Sequence, residues 1–240
     1  MGKAIFFNVP CTIFHNALET DKSFMEALFK VTDFILYDAC KAMYKSRLDA
    51  DEIKEKVAGY HINYFDPISS WKRGEALYIE LVEKAKFAPA YFSISRESYW
   101  KFRDEESTEF DRALLLAYLA IKSMVGKRDM IRTNMAAICS RMDGNTRPKG
   151  ITNLSDSVKK YMNRYWSKKL LNALFEKRGV TFYGGNSTHK VRGFYCSTTL
   201  TMEELITRAE ADMKERRSRP KDLLKEAKRV ALSKLQAESP

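Results

Sequence analysis

Apolar residues recur every three or four positions over several long stretches of the chain, and this spacing predicts amphipathic helices. The first predicted helix runs from about Ser23 to Ser46. Asp49 is a suitable N-cap for a second helix that ends near Gly59, and a third spans roughly Ser69 to Ala85. The pattern therefore predicts a mainly helical first half.

Two short β-prone runs accompany these helices. Residues 4–9 read Ala-Ile-Phe-Phe-Asn-Val and end at Pro10, which cannot donate to a strand ladder, and residues 90–94 read Ala-Tyr-Phe-Ser-Ile. A weak internal similarity, at an offset of 85 to 86 residues, aligns the two runs and the helices that follow them. A true repeat would imply two related units of one strand and three helices.

The second half predicts three helices followed by a hairpin. The predicted helices cover residues 108–126, 133–142 and 155–178. The polar loop before the last helix leaves open whether 155–178 forms one helix or two. Gly179 is a natural helix stop, and the β-prone runs Val180–Tyr183 and Val191–Ser197 flank a Gly-Gly-Asn turn. We therefore expect an α+β protein, mainly α with small β-hairpins.

Composition limits the classes of protein to which the chain can belong. The chain has 240 residues, of which 45% are hydrophobic, and this is enough to bury a sizeable core. No apolar run approaches the roughly 20 residues that a membrane span needs, and the N-terminal stretch is too broken for a secretory signal. We expect a cytoplasmic protein, associated with the nucleoid if the source is bacterial.

The cysteines and histidines do not have the spacing of a metal site. Cys11, Cys40, Cys139 and Cys196 are far apart in the sequence, and none forms the close pair that zinc ligands usually form. We expect reduced, mostly buried thiols, because free cysteine packs as a small hydrophobic residue. No metal or other cofactor is expected.

The net charge of +11 is concentrated in one part of the chain. Residues 1–86 hold 12 Lys+Arg against 13 Asp+Glu, and residues 87–126 hold 5 against 6. Residues 127–200 hold 15 against 4, and residues 201–240 hold 10 against 8. A cationic segment in an otherwise balanced chain is typical of a module that binds a polyanion.

The predicted helix 155–178 has two distinct faces. Apolar residues recur every four positions and form a face that must be buried, namely Val158, Met162, Trp166, Leu170 and Leu174. The second face carries cationic and polar side chains without an acid, namely Lys160, Asn163, Arg164, Ser167, Lys168 and Asn172. Such side chains suit the major groove of DNA, because Arg and Lys reach guanine acceptors or phosphates and Asn pairs with adenine. A solubilising face is the alternative, although such faces usually mix both charge signs.

Residues outside this helix add further candidates for DNA contact. His189, Lys190 and Arg192 lie in the turn and returning strand of the predicted hairpin, where they can reach a phosphate or the minor groove. Arg132, Thr133 and Asn134 stand at the predicted start of helix 133–142, where side chains and helix N-terminus suit a phosphate.

The order of these elements resembles a winged helix-turn-helix DNA-binding domain. The resemblance covers about residues 108–198 and depends on the junction LLNALFEKRGVTFY, in which a leucine-rich helix ends in Glu-Lys-x-Gly before a β wing. One departure is the loop DGNTRPKGITNLSDS, which is longer than the usual tight turn.

The wider layout resembles the tandem winged-helix replication initiators of plasmids and phages. In such proteins the first unit helps to dimerise and the second reads origin repeats. The resemblance implies a helical or winged-helix-like unit over 1–86 and a winged-helix DNA-binding unit over 87–200. Residues 201–240 are rich in helix formers and predict a basic helical extension. The extension is expected to form solvated helices partly packed on the core, with a dimerisation or DNA-tracking arm as the alternative.

Motifs for catalysis are weak. His189 and Arg192 have the His-x-x-Arg spacing of tyrosine recombinases, but they lie in a predicted hairpin and not on a helical scaffold. His61 lacks the second histidine of a rolling-circle nickase, and the chain has no phosphate loop with Gly-Lys-Ser/Thr. We therefore expect no enzymatic activity.

The sequence thus predicts specific binding of double-stranded DNA, with replication initiation as the expected role. One alternative is a transcriptional regulator with the same winged helix, and another is an interaction scaffold whose basic face meets an acidic partner. Homodimerisation and contacts with replication or transcription proteins are left open, and no membrane is expected as a partner.

Overall fold

The fold is mainly helical with two small antiparallel sheets. It was obtained as a computed structural model that describes residues 5–43, 45, 48–62, 66–147, 153–184, 193–216 and 218. The prediction of a mainly α protein with small β elements is confirmed.

The first half contains one strand and three helices. Their bounds are Phe6–Pro10 for β1, Asp21–Cys40 for α1, Ala50–Val57 for α2 and Pro67–Tyr78 for α3. Each helix has an N-cap residue whose side chain accepts a backbone N–H of the first turn. These residues are Thr20 for α1, Asp49 for α2 and Asp66 for α3. Helix α1 ends at Cys40, earlier than the predicted end near Ser46. Beside this end, Cys40, Ile53 and Trp71 of the three helices form a small apolar cluster.

The second half contains the remaining elements. Their bounds are Tyr91–Ser95 for β2, Arg96–Asp104 for α4, Glu109–Val125 for α5, Ile131–Thr133 for β3, Met135–Met142 for α6, Asp156–Lys159 for α7, Arg164–Arg178 for α8, Thr181–Tyr183 for β4 and Phe194–Ser197 for β5. A further helix, α9, covers residues 202–216. The sequence analysis did not predict α4 or β3.

Both sheets join segments that are distant in sequence. In the first, β1 pairs antiparallel with β2, so that Phe6 lies opposite Ser95 and Val9 opposite Phe92. The two runs aligned by the internal similarity are therefore partners in one sheet. In the second, the strand order is β3-β5-β4, so the predicted two-stranded hairpin gains a third strand along β5.

One hydrophobic cluster connects these elements. It extends from Phe7 in β1 to Cys196 in β5 and includes buried residues of α1, α5, α6 and α8. The middle of α5 lies at its centre, where Leu116, Ala117 and Ile121 are fully buried. The division of the chain into units 1–86 and 87–200 stays a prediction.

A tight turn after α6 contacts the segment that follows β1. Gly144 has φ +75°, and its carbonyl oxygen accepts the Cys11 thiol at 3.4 Å, while His15 Nδ1 donates to the Asp143 carbonyl at 2.9 Å. The buried Asp143 carboxylate accepts the Ser155 hydroxyl at 2.8 Å and the Ser155 N–H at 3.1 Å. The turn therefore holds both the start of α7 and the segment 11–15.

Replacing Gly144 by alanine should destabilise the fold by at least about 1–2 kcal/mol. An added Cβ would lie 2.8 Å from the His15 nitrogen and 2.9 Å from the Cys11 oxygen, and the left-handed φ strains any L side chain. The control is Gly59→Ala, at a site with no atom within 4 Å of the added Cβ. Urea unfolding of both variants measures the difference, and equal midpoints would contradict the close approach.

Replacing Asp111 by asparagine should remove a pH-dependent part of the stability. Asp111 forms a capping box with Thr108 at the start of α5, and the hydrogen bond from the Thr108 hydroxyl holds the pKa of this carboxyl below its usual range. A carboxyl whose pKa is lowered by folding stabilises the fold at pH values above its unfolded pKa of about 3.9. This stabilisation is lost as the pH falls through the pKa of the folded state.

The expected loss for Asp111→Asn is below about 1 kcal/mol at neutral pH, because the pair is exposed, and it should be smaller at about pH 2.5. Urea unfolding at both pH values measures it. Glu55→Gln removes an exposed carboxylate of α2 and serves as the control. A loss for Asp111→Asn that is the same at both pH values would show that its carboxylate charge is irrelevant.

Candidate nucleic-acid interface

The basic segment 155–178 forms two helices that are separated at Asn163. This residue has ψ 143°, an extended value that interrupts the helical path, and its side-chain oxygen accepts the Tyr165 N–H at 2.8 Å. It therefore ends the 3-10 turn Lys160–Met162 and caps α8. The sequence left open whether this segment is one helix or two, and the structure shows two, so the basic residues from Lys160 to Asn172 do not share one continuous helix.

The inner face of α8 is anchored in the hydrophobic core. Leu170 and Leu174 are fully buried, and Ala173 lies between them on the same side. The helix ends at Gly179, whose φ of +65° is left-handed and whose N–H bonds to Phe175 O, as in the common glycine C-cap. This anchoring determines which side of α8 faces solvent.

The solvent face of α8 combines cationic, amide and aromatic side chains. Arg164, Lys168 and Asn172 are exposed, as predicted, and lie about one turn apart. No carboxylate within the described ranges forms an ion pair with Arg164 or Lys168. Tyr165 is 66% exposed on the same side. Tyr165 was not among the residues predicted from the sequence. Its exposure follows from helix geometry, because a residue five positions before the buried Leu170 points away from the core.

Two lysines of this region are held by the protein itself. Lys160 pairs with Glu109 of α5, and its ammonium group lies 5.4 Å from the Trp166 ring centre. The Lys169 ammonium group lies 4.9 Å from the centre of the same Trp166 ring and 4.8 Å from the centre of the Phe110 ring. Cations over aromatic faces stabilise the fold modestly, so these two charges help to position Trp166. Glu109 is distant in sequence, which is why the helix alone suggested a face without acids.

Asn163 and Ser167 also use their side chains locally. The Asn163 oxygen caps α8, and the Ser167 hydroxyl donates to Arg164 O at 3.1 Å. Three predicted residues of this helix remain whose side-chain polar groups form no hydrogen bond or ion pair among the described contacts. They are Arg164, Lys168 and Asn172.

The three residues predicted to contact phosphate at the start of α6 do not all lie at that helix start. Arg132 and Thr133 lie in β3 and not at the start of a helix, because the chain pairs with β5 there before it turns. Arg132 is exposed, whereas Thr133 is buried. Asn134 caps α6 by accepting the Ala137 N–H at 2.8 Å. Their contact with DNA stays a prediction.

The tip of the hairpin lies outside the described residues, and with it His189, Lys190 and Arg192. The described ends are Gly184 and Gly193. Gly193 has φ +110°, and a Cβ added there would lie 2.4 Å from the Thr133 carbonyl oxygen. The returning side of the hairpin is therefore pressed against the end of β3, at the N-terminus of α6.

The four cysteines are free and buried, which confirms the prediction of reduced, packed thiols. Burial raises the pKa of Cys139 and of Cys196 to about 12, so both thiols are neutral at physiological pH. Within the described ranges, no three His, Cys, Asp or Glu side chains are grouped so that they could hold a metal ion. None of the helices described has the length and apolar character required to cross a bilayer.

Comparison with known proteins gives no match: no family model matches the chain, and neither a curated protein nor a solved structure is significantly similar to it. The function must therefore be argued from the chain's own residues.

The N-cap of α8 should contribute about 1 kcal/mol to stability, since the Asn163 oxygen satisfies an N–H of the first turn. Asn163→Ala is expected to lose this amount, and Asn163→Asp, which keeps a capping oxygen, is expected to lose little. Chemical unfolding of the three proteins checks this. Equal losses in the two variants would argue against capping as the role of the side chain.

Proposed function

We propose that the chain is a winged-helix protein that binds double-stranded DNA sequence-specifically and acts by positioning, without catalysing a reaction. The observation that carries this proposal is the solvent face of α8, on which Arg164, Lys168, Tyr165 and Asn172 project together. Guanidinium and ammonium groups fit guanine acceptors and phosphates, and an amide fits adenine. A helix with such a face is shaped for the major groove.

The order of elements around α8 supports the winged-helix assignment. Helix α5 is followed by strand β3, helix α6, the pair α7 and α8, and strands β4 and β5. The three strands form a sheet in the order β3-β5-β4. In a winged helix of this order, the last helix reads the groove and the loop between the final two strands forms the wing. By this assignment α8 is the recognition helix, and His189, Lys190 and Arg192 belong to the wing.

Electrostatics supports a polyanionic partner. The excess of 15 Lys+Arg over 4 Asp+Glu lies in residues 127–200, which include α8 and the hairpin. If about six phosphates are neutralised, a plot of the logarithm of the binding constant against the logarithm of the salt concentration should have a slope of about −5.

Within DNA binding, we propose replication initiation of a plasmid or phage as the role, with transcriptional regulation as the alternative. Support for initiation comes from the resemblance of the chain layout to tandem winged-helix initiators. The near-neutral charge of residues 1–86 suits contacts with protein better than a second equal contact with DNA. Selecting bound fragments from the parent replicon or genome separates the two roles, because iterated origin repeats favour initiation and promoters favour regulation.

Arg164→Ala combined with Lys168→Ala should weaken binding to the selected duplex by at least about tenfold and reduce the magnitude of the salt slope by about 2. The reason is that both cations leave the face that meets the DNA. Fluorescence anisotropy of labelled duplex, titrated at several salt concentrations, gives both quantities.

The matched control is Lys30→Ala combined with Lys72→Ala, which removes the same charge from exposed positions of α1 and α3. Binding by the control should stay close to that of the wild type. Absence of duplex binding by the wild type at about 100 mM salt would exclude the proposed function. Equal weakening by both double variants would instead show that only net charge matters and that α8 is not the reading helix.

A further inference from the structure

A wide cleft of about 910 Å³ lies beside the N-terminus of α6, apart from the exposed face of α8. Four arginines line it, each from a different part of the chain: Arg128 follows α5, Arg132 belongs to β3, Arg141 to α6 and Arg216 to α9. Among the described residues that line the cleft, Asp212 is the one carboxylate. The cleft therefore has a clear excess of positive charge.

Two of the four arginines are oriented by backbone carbonyls. Arg128 donates to Met124 O at 2.6 Å, and Arg141 donates to Thr146 O at 2.9 Å. These carbonyls orient the guanidinium groups without cancelling their charge. Arg216 bonds to Asp212 at 2.6 Å, and the charge of Arg132 also acts on this carboxylate, so Asp212 compensates part of the positive charge of the cleft. Like charges gathered around one cavity repel each other, and an anion in the cavity would relieve that repulsion.

Helix α9 completes the cleft, because its docking on the sheet determines where Arg216 lies. Leu205 and Ala209 are fully buried against Tyr195 of β5. The Tyr195 hydroxyl donates to Asp212 at 2.6 Å. Arg208, one turn before Asp212, pairs with Asp129 in the loop after α5. The start of the C-terminal region is thus a packed helix with one end at the cleft.

The cleft also adjoins Gly193, which immediately precedes β5. Thr133 and Asn134 line it, and the same two residues are the neighbours of Gly193 where the hairpin returns. The segment immediately before Gly193 carries Arg192 and Lys190 in the sequence.

We infer that this cleft binds backbone phosphates of the same DNA duplex that α8 reads, and that α9 is part of the DNA interface. The inference rests on the proposed function. Guanidinium groups form paired hydrogen bonds with phosphate oxygens, which suits backbone contacts. A binding site for a free organic ligand is usually lined mainly by apolar and aromatic groups, whereas four arginines and further polar side chains line this cleft. The contact adds affinity and fixes the register of the protein on the duplex without reading bases.

Arg216→Gln tests this inference with Lys214→Gln as its control. Both residues are exposed on α9, but they are two positions apart and so point in nearly opposite directions. Arg216→Gln should weaken duplex binding by about tenfold, equally for specific and unrelated sequences, and reduce the magnitude of the salt slope by about 1. Lys214→Gln should leave affinity and slope close to the wild-type values.

Asp212→Asn supplies a test of opposite sign. It removes the negative charge from the cleft and keeps an oxygen that can accept from Tyr195, so duplex binding should become several times tighter. A purely structural role for the Asp212–Arg216 pair predicts weaker binding for both variants. Circular dichroism and thermal melting confirm that each protein remains folded.

Each outcome decides between the two proposals. Equal duplex binding by Arg216→Gln and Lys214→Gln, or weaker binding by Asp212→Asn, overturns the role of the cleft while the function of α8 stands. If the wild type binds no duplex at about 100 mM salt, both proposals fail together. Weakening by Arg216→Gln together with tightening by Asp212→Asn supports the cleft as a second contact.

Discussion

The rest of the structure depends on the burial of α5. Its central turns are buried on nearly every side, and Leu114, Leu115, Leu116, Leu119 and Ile121 all lie within the main hydrophobic cluster. Each such side chain stabilises the fold by roughly 1.5–3 kcal/mol relative to exposure, so α5 cannot remain uncovered. β2, α6 and α8 supply the cover. The outward face of α8 is thus a consequence of the need to bury its inner face on α5.

The distribution of charge shows two uses of cationic side chains. Lys160, Lys169 and Arg112 pack their charges over aromatic rings or against carboxylates, where they position neighbouring groups. Arg164 and Lys168 extend into solvent from α8. Exposed charges of this kind contribute little to stability, so the fold does not depend on them, and they are available for the proposed contact with DNA. The same reasoning extends to the arginines around the cleft beside α6.

Contacts between the first segment of the chain and the turn after α6 connect the two halves. Cys11 and His15 bond to the backbone of Asp143 and Gly144, and the Asp143 side chain bonds to Ser155. The long loop between α6 and α7 is therefore anchored at its beginning and its end. This anchoring explains how a loop longer than a usual helix-turn-helix connection is compatible with a defined start of α7 and, after Asn163, of α8.

Local chemistry determined the features of this protein that the sequence predicts by itself. Pattern and composition reveal the features that depend on neighbours within a few residues. These are the apolar period of helices such as α1 and α5, the caps at Thr108 and Asn134, the Gly179 stop and the cationic segment.

The tertiary structure decided what depends on distant partners. The pairing of β3 with β5 moved Arg132 and Thr133 out of the predicted helix start, and Glu109 bound Lys160. Asn163 ends one helix and caps the next, a break that the apolar period of 155–178 left open. Docking of α9 brought Arg216 to the cleft through packing on Tyr195, which is a contact between segments that no local pattern encodes.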